Sequence, residues 1–343
     1  FLAEPMGVRG LAVGVVAGSS LHMVVQLPAL ALVGMRWRPR LSLASRPVRE
    51  VLRLAGPRVI GLGASQLNLV IVLFFASFVS DQAISAVSYA YLMMMMPVAI
   101  AGMAISTAAF PLLAQQAAAR QMGALAVSVG QALGTILFLA VPASAGLVVL
   151  AEPAVRVLLE RGAFDAGSSE LVAGVVAVYA VAVFAHAGIE IVSRGFYALS
   201  DTRTPVVATV LATILNAALC AALIGPFGVR GLAAAASIAA ILEFLLVARL
   251  LSQRLGGLSP GARRGTRSVR GSLWRTVAAT VVMVEVVVLM RLLLAAAGAD
   301  SESTAGALVV LALAGLAGLL SYLAVALLLR SEEAARLVGR PGR

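Results

Sequence analysis

The sequence contains no lysine: all 26 of its basic residues are arginine. It has one cysteine, Cys220, set in an apolar run. A lone cysteine excludes a disulfide framework and a cysteine-based metal cluster. Histidine is limited to His22 and His186, and charged residues of both signs make up only 12% of the chain. Soluble domains carry about 25% charge, and a long soluble chain needs a charged shell to cover its core. That shell cannot be built here, so a soluble enzyme is excluded. What is present is apolar: 61% hydrophobic residues and a mean hydropathy of +1.02. The solvent for such a chain is lipid. Its net charge of +11 then implies anionic lipid headgroups as partners rather than nucleic acid.

Windows of roughly 20 apolar residues, the length that crosses a ~30 Å hydrocarbon core, recur at 10–34, 52–79, 84–108, 125–150, 170–198, 204–224, 229–252, 272–297 and 305–330. Runs such as Val281–Val288 and Leu308–Leu320 do not alternate in polarity, as the strands of a barrel would. The expected fold is therefore all-α, a polytopic bundle of about nine transmembrane helices. Arginines cluster in alternate connections: at 36–53, at Arg120, at Arg194 and Arg203, at 254–275 and at 330–343. By the positive-inside rule these connections are cytoplasmic, which puts residue 1 outside and the C-terminus inside. Phe1 opens a short connector with no signal peptide before it, as the later part of a longer protein would.

One internal repeat organises the chain. Gly7-Val8-Arg9-Gly10-Leu11-Ala12 recurs 221 residues later as Gly228-Val229-Arg230-Gly231-Leu232-Ala233. Both copies precede a helix expected to run from outside to inside, with five expected helices between them. Parallel six-helix repeats are a known transporter plan. The expected division is residues 1–49 as the last helix of a first lobe with its connector, 50–255 as a complete second lobe, and 256–343 as a terminal two-helix hairpin with a basic linker and tail.

Several segments resemble the MurJ (MviN) family of lipid II flippases, within the multidrug/oligosaccharidyl-lipid/polysaccharide exporter superfamily. They are Leu54-Ala55-Gly56-Pro57-Arg58 leading to Gln66-Leu67-Asn68, Ala108-Ala109-Phe110-Pro111, Leu150-Ala151-Glu152-Pro153 through Glu160-Arg161-Gly162-Ala163-Phe164, and Arg194-Gly195-Phe196-Tyr197-Ala198-Leu199 running into Asp201-Thr202-Arg203-Thr204-Pro205. The resemblance implies fourteen helices in two lobes and a terminal pair, of which this chain would hold the sixth to the fourteenth. It also implies an undecaprenyl-linked peptidoglycan precursor, lipid II, as cargo, moved from inner to outer leaflet of a bacterial plasma membrane by alternating access. No cofactor or metal is implied, and other cell-wall synthesis proteins are implied as partners. The chain departs from the family's pattern in three places. Where many members read Ala-Asp-Arg-Leu-Met-Glu before the Pro matching Pro97, this chain reads Ala90-Tyr91-Leu92-Met93-Met94-Met95-Met96. The cavity Arg thus falls on Leu92 and the Glu on Met95, and a frequent Asp falls on Val72.

Ionisable residues at membrane depth are costly unless paired or wetted, which singles out a few positions. Arg58, Ser65 and Gln66 share one helical face; they either grip a headgroup phosphate or snorkel to the interface. His186, Glu190 and Arg194 fall at i, i+4 and i+8 and read as a cavity-facing relay or as a self-paired structural stripe. Asn68 and Asn216 line a cavity or bond helices together. Glu243 and Glu285 sit mid-span, the latter on a different face from Arg291. Met93–Met96 offers an adaptable apolar surface to a polyprenyl tail or to a neighbouring helix. Asp201–Pro205 reads as a turn with Thr204 as helix cap, and Val155–Phe164 as an amphipathic stretch at the outer interface. Four readings follow: a lipid II flippase, an exporter of another polyprenyl-linked glycan or of drugs, a non-transporting membrane scaffold of cell-wall synthesis, and, last, a glycosyltransferase, for which the expected loops lack clustered carboxylates.

Overall fold

The computed structural model describes residues 6–32, 34, 48–49, 63, 66–162, 164–258, 269–298 and 303–337. Arg58, Ser65 and most of the arginine-rich connectors lie outside the described residues. Two compact units are present, Phe1–Leu54 and Ala55–Arg343. The described residues contain helices and turns and no strand.

The first unit holds α1, Val8–Leu32, mostly apolar beyond Arg9; the Ser20 hydroxyl donates to the Val16 carbonyl of its own helix, and His22 and Gln26, one turn apart, share a hydrogen bond of 3.0 Å. The second unit runs α2 (Gln66–Ser77), α3 (Asp81–Ala118), α4 (Met122–Val149), α5 (Ala151–Leu159), α6 (Ala166–Ala180), α7 (Val183–Ala198), α8 (Arg203–Arg254), α9 (Val269–Ala296), α10 (Thr304–Leu328) and α11 (Glu332–Leu337). Among the described residues six helices are long and apolar enough to cross a membrane, or seven when the bent pair α6–α7 counts as one span. Two places separate this figure from nine. The expected span 52–79 is described only as the short helix α2, and the expected spans 204–224 and 229–252 fall within one 52-residue helix, α8.

Geometry shows that α8 is a hairpin. Thr209 and Glu243 would lie ~51 Å apart along a straight helix, yet the Thr209 hydroxyl donates to the Glu243 carboxylate at 2.6 Å. The reversal is at Gly228, whose φ of 55° and ψ of −135° are non-helical. This is a conformation that a residue with a β-carbon adopts only at a cost. The arms are residues 203–227 and 229–254. Gly7, the same residue of the first hexamer, has a φ of 54° and is likewise followed at once by a helix. The repeat is thus conformational as well as sequential.

The open end of the hairpin is closed by Asp201. Its carboxylate accepts from the amides of Arg203 and Thr204, each at 3.0 Å, and from the Thr204 hydroxyl at 2.7 Å; it also pairs with Arg254 at the end of the second arm. The helix cap expected from Thr204 is therefore supplied by Asp201, three residues earlier. Thr204 is drawn into the first turn because its hydroxyl donates rather than accepts.

Several spans are interrupted, and each break leaves backbone groups that lipid cannot satisfy. Pro142, inside α4, has no N–H to give the Phe138 carbonyl; the Tyr322 hydroxyl of α10 donates to that carbonyl instead, at 2.6 Å. Between α6 and α7 the chain bends by 44°, and the Ala182 amide turns back to Tyr179. That leaves the Val178 carbonyl without its helical partner, and it accepts from Ser237 at 3.0 Å. On the other side of the bend the Phe184 amide donates to Ser144 at 3.1 Å. In α3 the chain relaxes into a π-helix, Val98–Met103, directly after Pro97, as helices do where the i→i−4 ladder is broken. Small residues then let the helices close up. A β-carbon on Gly102 would lie 2.8 Å from the Ala187 Cα, and one on Gly188 would collide with the Phe244 ring.

Tyr322→Phe is expected to lower stability in detergent by about 1 kcal/mol, since it strands the Phe138 carbonyl while keeping the ring. Ser321→Ala, whose hydroxyl bonds only its own turn at Gly318, is expected to cost less. Thermal unfolding of the purified variants measures both. Burial alone would raise the Asp201 carboxyl, but the bonds from Thr204 and the bond and charge of Arg254 bring it below its ordinary 3.8. A depressed carboxyl stabilises fully above that value and loses its effect as pH falls through the folded value. Asp201→Asn is therefore expected to melt below wild type at neutral pH, by about 1 kcal/mol, and the gap is expected to close below pH 3.8.

Candidate functional site: a polar stripe on a broken helix

The polar residues expected in the membrane are sorted by α7. Its packed face is apolar and small, with Val183, Ala185, Ala187, Gly188, Ile191, Val192, Gly195 and Phe196 all buried. Its other face carries His186, Ile189, Glu190, Ser193 and Arg194, all partly exposed, and Tyr197, which is 42% exposed. The bend before Val183 aims this face, and Ser144 and Ser237 hold the bend.

Within the stripe, Arg194 pairs with Glu190 at 2.8 Å, and its other terminal nitrogen donates to Thr107 of α3 at 3.0 Å. The pair expected along the helix is therefore present, with a third member that no local pattern singles out. Thr107 is marked only by a hydroxyl four residues before Pro111. Both ions remain in part open, with side chains 20% and 33% exposed. His186, one turn before Glu190, has no hydrogen bond from its ring to a described residue. A guanidinium held by a carboxylate and a hydroxyl on a half-open face is preorganised to meet an anionic group.

The remaining expected residues do not join this stripe. Asn216, fully buried, donates to the Asn68 side chain at 2.8 Å and lies 3.5 Å from the Cys220 sulfur. This is a bond between α2 and the first arm of α8, the helix-joining reading rather than the cavity-lining one. Val72, where the family often carries Asp, is buried in the core. Glu243 is tied to Thr209 across the α8 hairpin. Gln66 stands exposed at the start of α2. Leu92 and Met96 are exposed, whereas Met93 and Met94 are buried, so the methionine run divides between open surface and core. Among the described residues no three His, Cys, Asp or Glu side chains converge as a metal site. An open pocket of about 740 Å³ lies at the base of the α8 hairpin, between Asp201, Arg203, Arg254 and their neighbours, and none of the nine expected residues lines it.

A second charged cluster joins the terminal pair to the lobe. Arg291 of α9 donates to the Val149 carbonyl at 2.6 Å and reaches Glu152 at 3.5 Å. Glu152 pairs with Arg156 at 3.2 Å, and the Ser169 hydroxyl donates to Glu160 at 2.7 Å. Nearby, Asp165 caps α6 by accepting from the Ser168 amide at 2.8 Å, and bonds from Ser168 hold its carboxyl below the ordinary value. The amphipathic helix falls at Ala151–Leu159, earlier than the expected Val155–Phe164. Buried Ala154 and Val155 place its apolar face inward on α6 and α10.

A double-mutant cycle of Thr209→Val with Glu243→Gln, read by thermal unfolding, is expected to show a coupling of about 1 kcal/mol, the size of an interhelical bond in lipid. Independent, additive effects would contradict the hairpin contact.

A family model for the lipid II flippase MurJ matches residues 1–310. The probable lipid II flippase MurJ of Vibrio cholerae is 31% identical over 240 residues, which cover 70% of this chain and 46% of that protein. The Synechocystis protein of the same description is 32% identical over 262 residues, covering 75% of this chain and 49% of its own length. The chain thus spans about half the length of the curated relatives it matches. Among solved structures, lipid II flippase MurJ in an inward closed conformation shares the fold with a TM-score of 0.75 at 21% identity, over 99% of this chain and 65% of that one. An outward-facing MATE-family multidrug transporter of the MOP superfamily aligns with a TM-score of 0.53 at 19% identity, over 84% and 66%. This multi-pass protein of the bacterial plasma membrane belongs to the MurJ family of lipid II flippases.

Proposed function

We propose that the chain carries the second lobe and terminal helix pair of a transporter that moves lipid II from the inner to the outer leaflet. In this reading residues 50–255 form the lobe, 256–343 the terminal pair, and 1–49 the last helix of the other lobe with its connector. The arginine-rich connections face the cytoplasm, where they meet anionic headgroups. The carrying observation is the Glu190–Arg194–Thr107 node on the open face of α7. Lipid cannot solvate such a face, whereas a cavity that passes a diphosphate-linked sugar needs one. With Leu92 at the family's arginine position, Arg194 is the described cation best placed to meet the diphosphate, and Glu190 holds it in position. The family's work with other cell-wall synthesis proteins belongs to the same proposal.

One observation favours a second reading. Leu92 is 58% exposed, so an apolar side chain stands where many relatives present an arginine. That substitution suits an exporter of another polyprenyl-linked glycan or of a less anionic cargo.

Complementation separates these. In a bacterium depleted of its own lipid II flippase, the full-length protein is expected to restore growth and outer-leaflet lipid II. Arg194→Ala is expected to cut the flipping rate by about 10–100-fold, the worth of a charge-assisted contact of ~1.5–3 kcal/mol. Glu190→Gln is expected to cost less. Inserted, abundant protein with lipid II confined to the inner leaflet would set aside the peptidoglycan cargo. Unchanged activity in Arg194→Ala would point to a scaffold.

A further inference from the structure

The two arms of α8, residues 203–227 and 229–254, are each ~38 Å long at 1.5 Å per residue, enough to cross the ~30 Å hydrocarbon core. The open end of the hairpin therefore lies at the level of the lipid headgroups. The pocket at that end measures about 740 Å³, within the ~300–1,000 Å³ of small-molecule sites. Its charged lining is Asp201, Arg203 and Arg254, two positive charges against one negative. The Asp201 carboxylate is turned onto its own helix, bound to the first-turn amides, the Thr204 hydroxyl and Arg254. Arg254 stays 53% exposed in that pair. Arg203 is exposed, and its guanidinium makes no hydrogen bond or ion pair with a described residue. The hydroxyls of Ser200 and Thr202 line the same pocket on exposed residues and are likewise unbonded to described residues. Beside them stands Met122, an apolar side chain 43% exposed.

One free guanidinium, a second that is half free, and two hydroxyl donors make a set that suits phosphate oxygens. The first amides of α8 add nothing, because Asp201 already takes them. The connectors of the chain itself do not complement the pocket. Residues 259–268 hold Arg263, Arg264 and Arg267 and no acid, and residues 36–53 hold six arginines against Glu50. The charge of the pocket calls instead for an anion supplied by its surroundings. At headgroup depth that anion is the phosphodiester of an acidic phospholipid, and basic pockets between membrane helices take such headgroups. Soluble phosphate offers the same oxygens but no apolar portion to lie against Met122.

We infer that the pocket at the base of the α8 hairpin binds the phosphate headgroup of an acidic phospholipid, held chiefly by Arg203. The assignment needs only that α8 crosses the membrane, and it stands whatever cargo the protein carries. The full-length protein, delipidated in a non-ionic detergent, is titrated with phosphatidylglycerol or phosphatidylcholine, and bound lipids are counted by native mass spectrometry. One phosphatidylglycerol is expected to bind in clear preference to phosphatidylcholine, and equimolar inorganic phosphate is expected not to displace it. Arg203→Gln is expected to weaken that binding about tenfold, as loss of one charged hydrogen bond does, with the melting temperature unchanged. Asp201→Asn is expected to move the two readouts in opposite directions. It lowers the melting temperature yet tightens binding about threefold, the size of one exposed ion pair. Arg249→Gln, exposed on the same arm but outside the pocket, is expected to change neither. Equal losses in Arg249→Gln and Arg203→Gln would reveal diffuse attraction to a basic surface and overturn the site. Unchanged binding in Arg203→Gln would overturn it as well, and displacement by equimolar inorganic phosphate would overturn the lipid as its ligand.

Discussion

A backbone N–H or C=O at membrane depth has no water to turn to, and the described architecture follows from that constraint. The lobe is built of helices that bend, and every bend frees groups that another helix must satisfy. Tyr322 answers the carbonyl released by Pro142. Ser237 and Ser144 answer the two sides of the break between α6 and α7. These three hydroxyls lie on α10, α8 and α4, so the repairs also act as cross-links. The terminal pair is fastened by the same logic, with Arg291 reaching the carbonyl of Val149 at the end of α4.

The repaired break gives α7 its orientation, and that orientation inverts the usual arrangement of a membrane helix. An outer helix shows lipid its apolar residues and turns its polar ones inward. Helix α7 buries its Ala, Gly, Val, Ile and Phe and leaves His186, Glu190, Ser193 and Arg194 on the open side. Glycine at 188 admits the Phe244 ring, so the second arm of α8 takes the apolar face and the polar face is left partly exposed. Glu243, on that same arm, is not part of the open stripe because Thr209 holds it within the hairpin.

Much of this was legible in the sequence. The apolar windows, the identical hexamers, and the i, i+4 spacing of Glu190 and Arg194 are local signals, and local signals survive folding. The long-range partners were not legible. Thr107 lies 87 residues from Arg194, and nothing in its surroundings distinguishes it from other membrane threonines. The repair hydroxyls were hidden for the same reason: Pro142 announces that a carbonyl is freed, but not that Tyr322, 184 residues after Phe138, will meet it. The Asp201 cap was misassigned because the motif offers several oxygens within four residues. Only the turn geometry shows which one faces the free amides.

Whether water reaches the polar face of α7 decides the account. Ser193 lies beside the ion pair without belonging to it, and Ile191 is buried on the packed face. In intact cells, Ser193→Cys should react with a small membrane-impermeant maleimide, while Ile191→Cys should react only after denaturation. If Ser193→Cys stays unlabelled in folded protein and reacts once unfolded, the stripe is packed against protein or lipid, and the cavity reading of Glu190 and Arg194 is wrong.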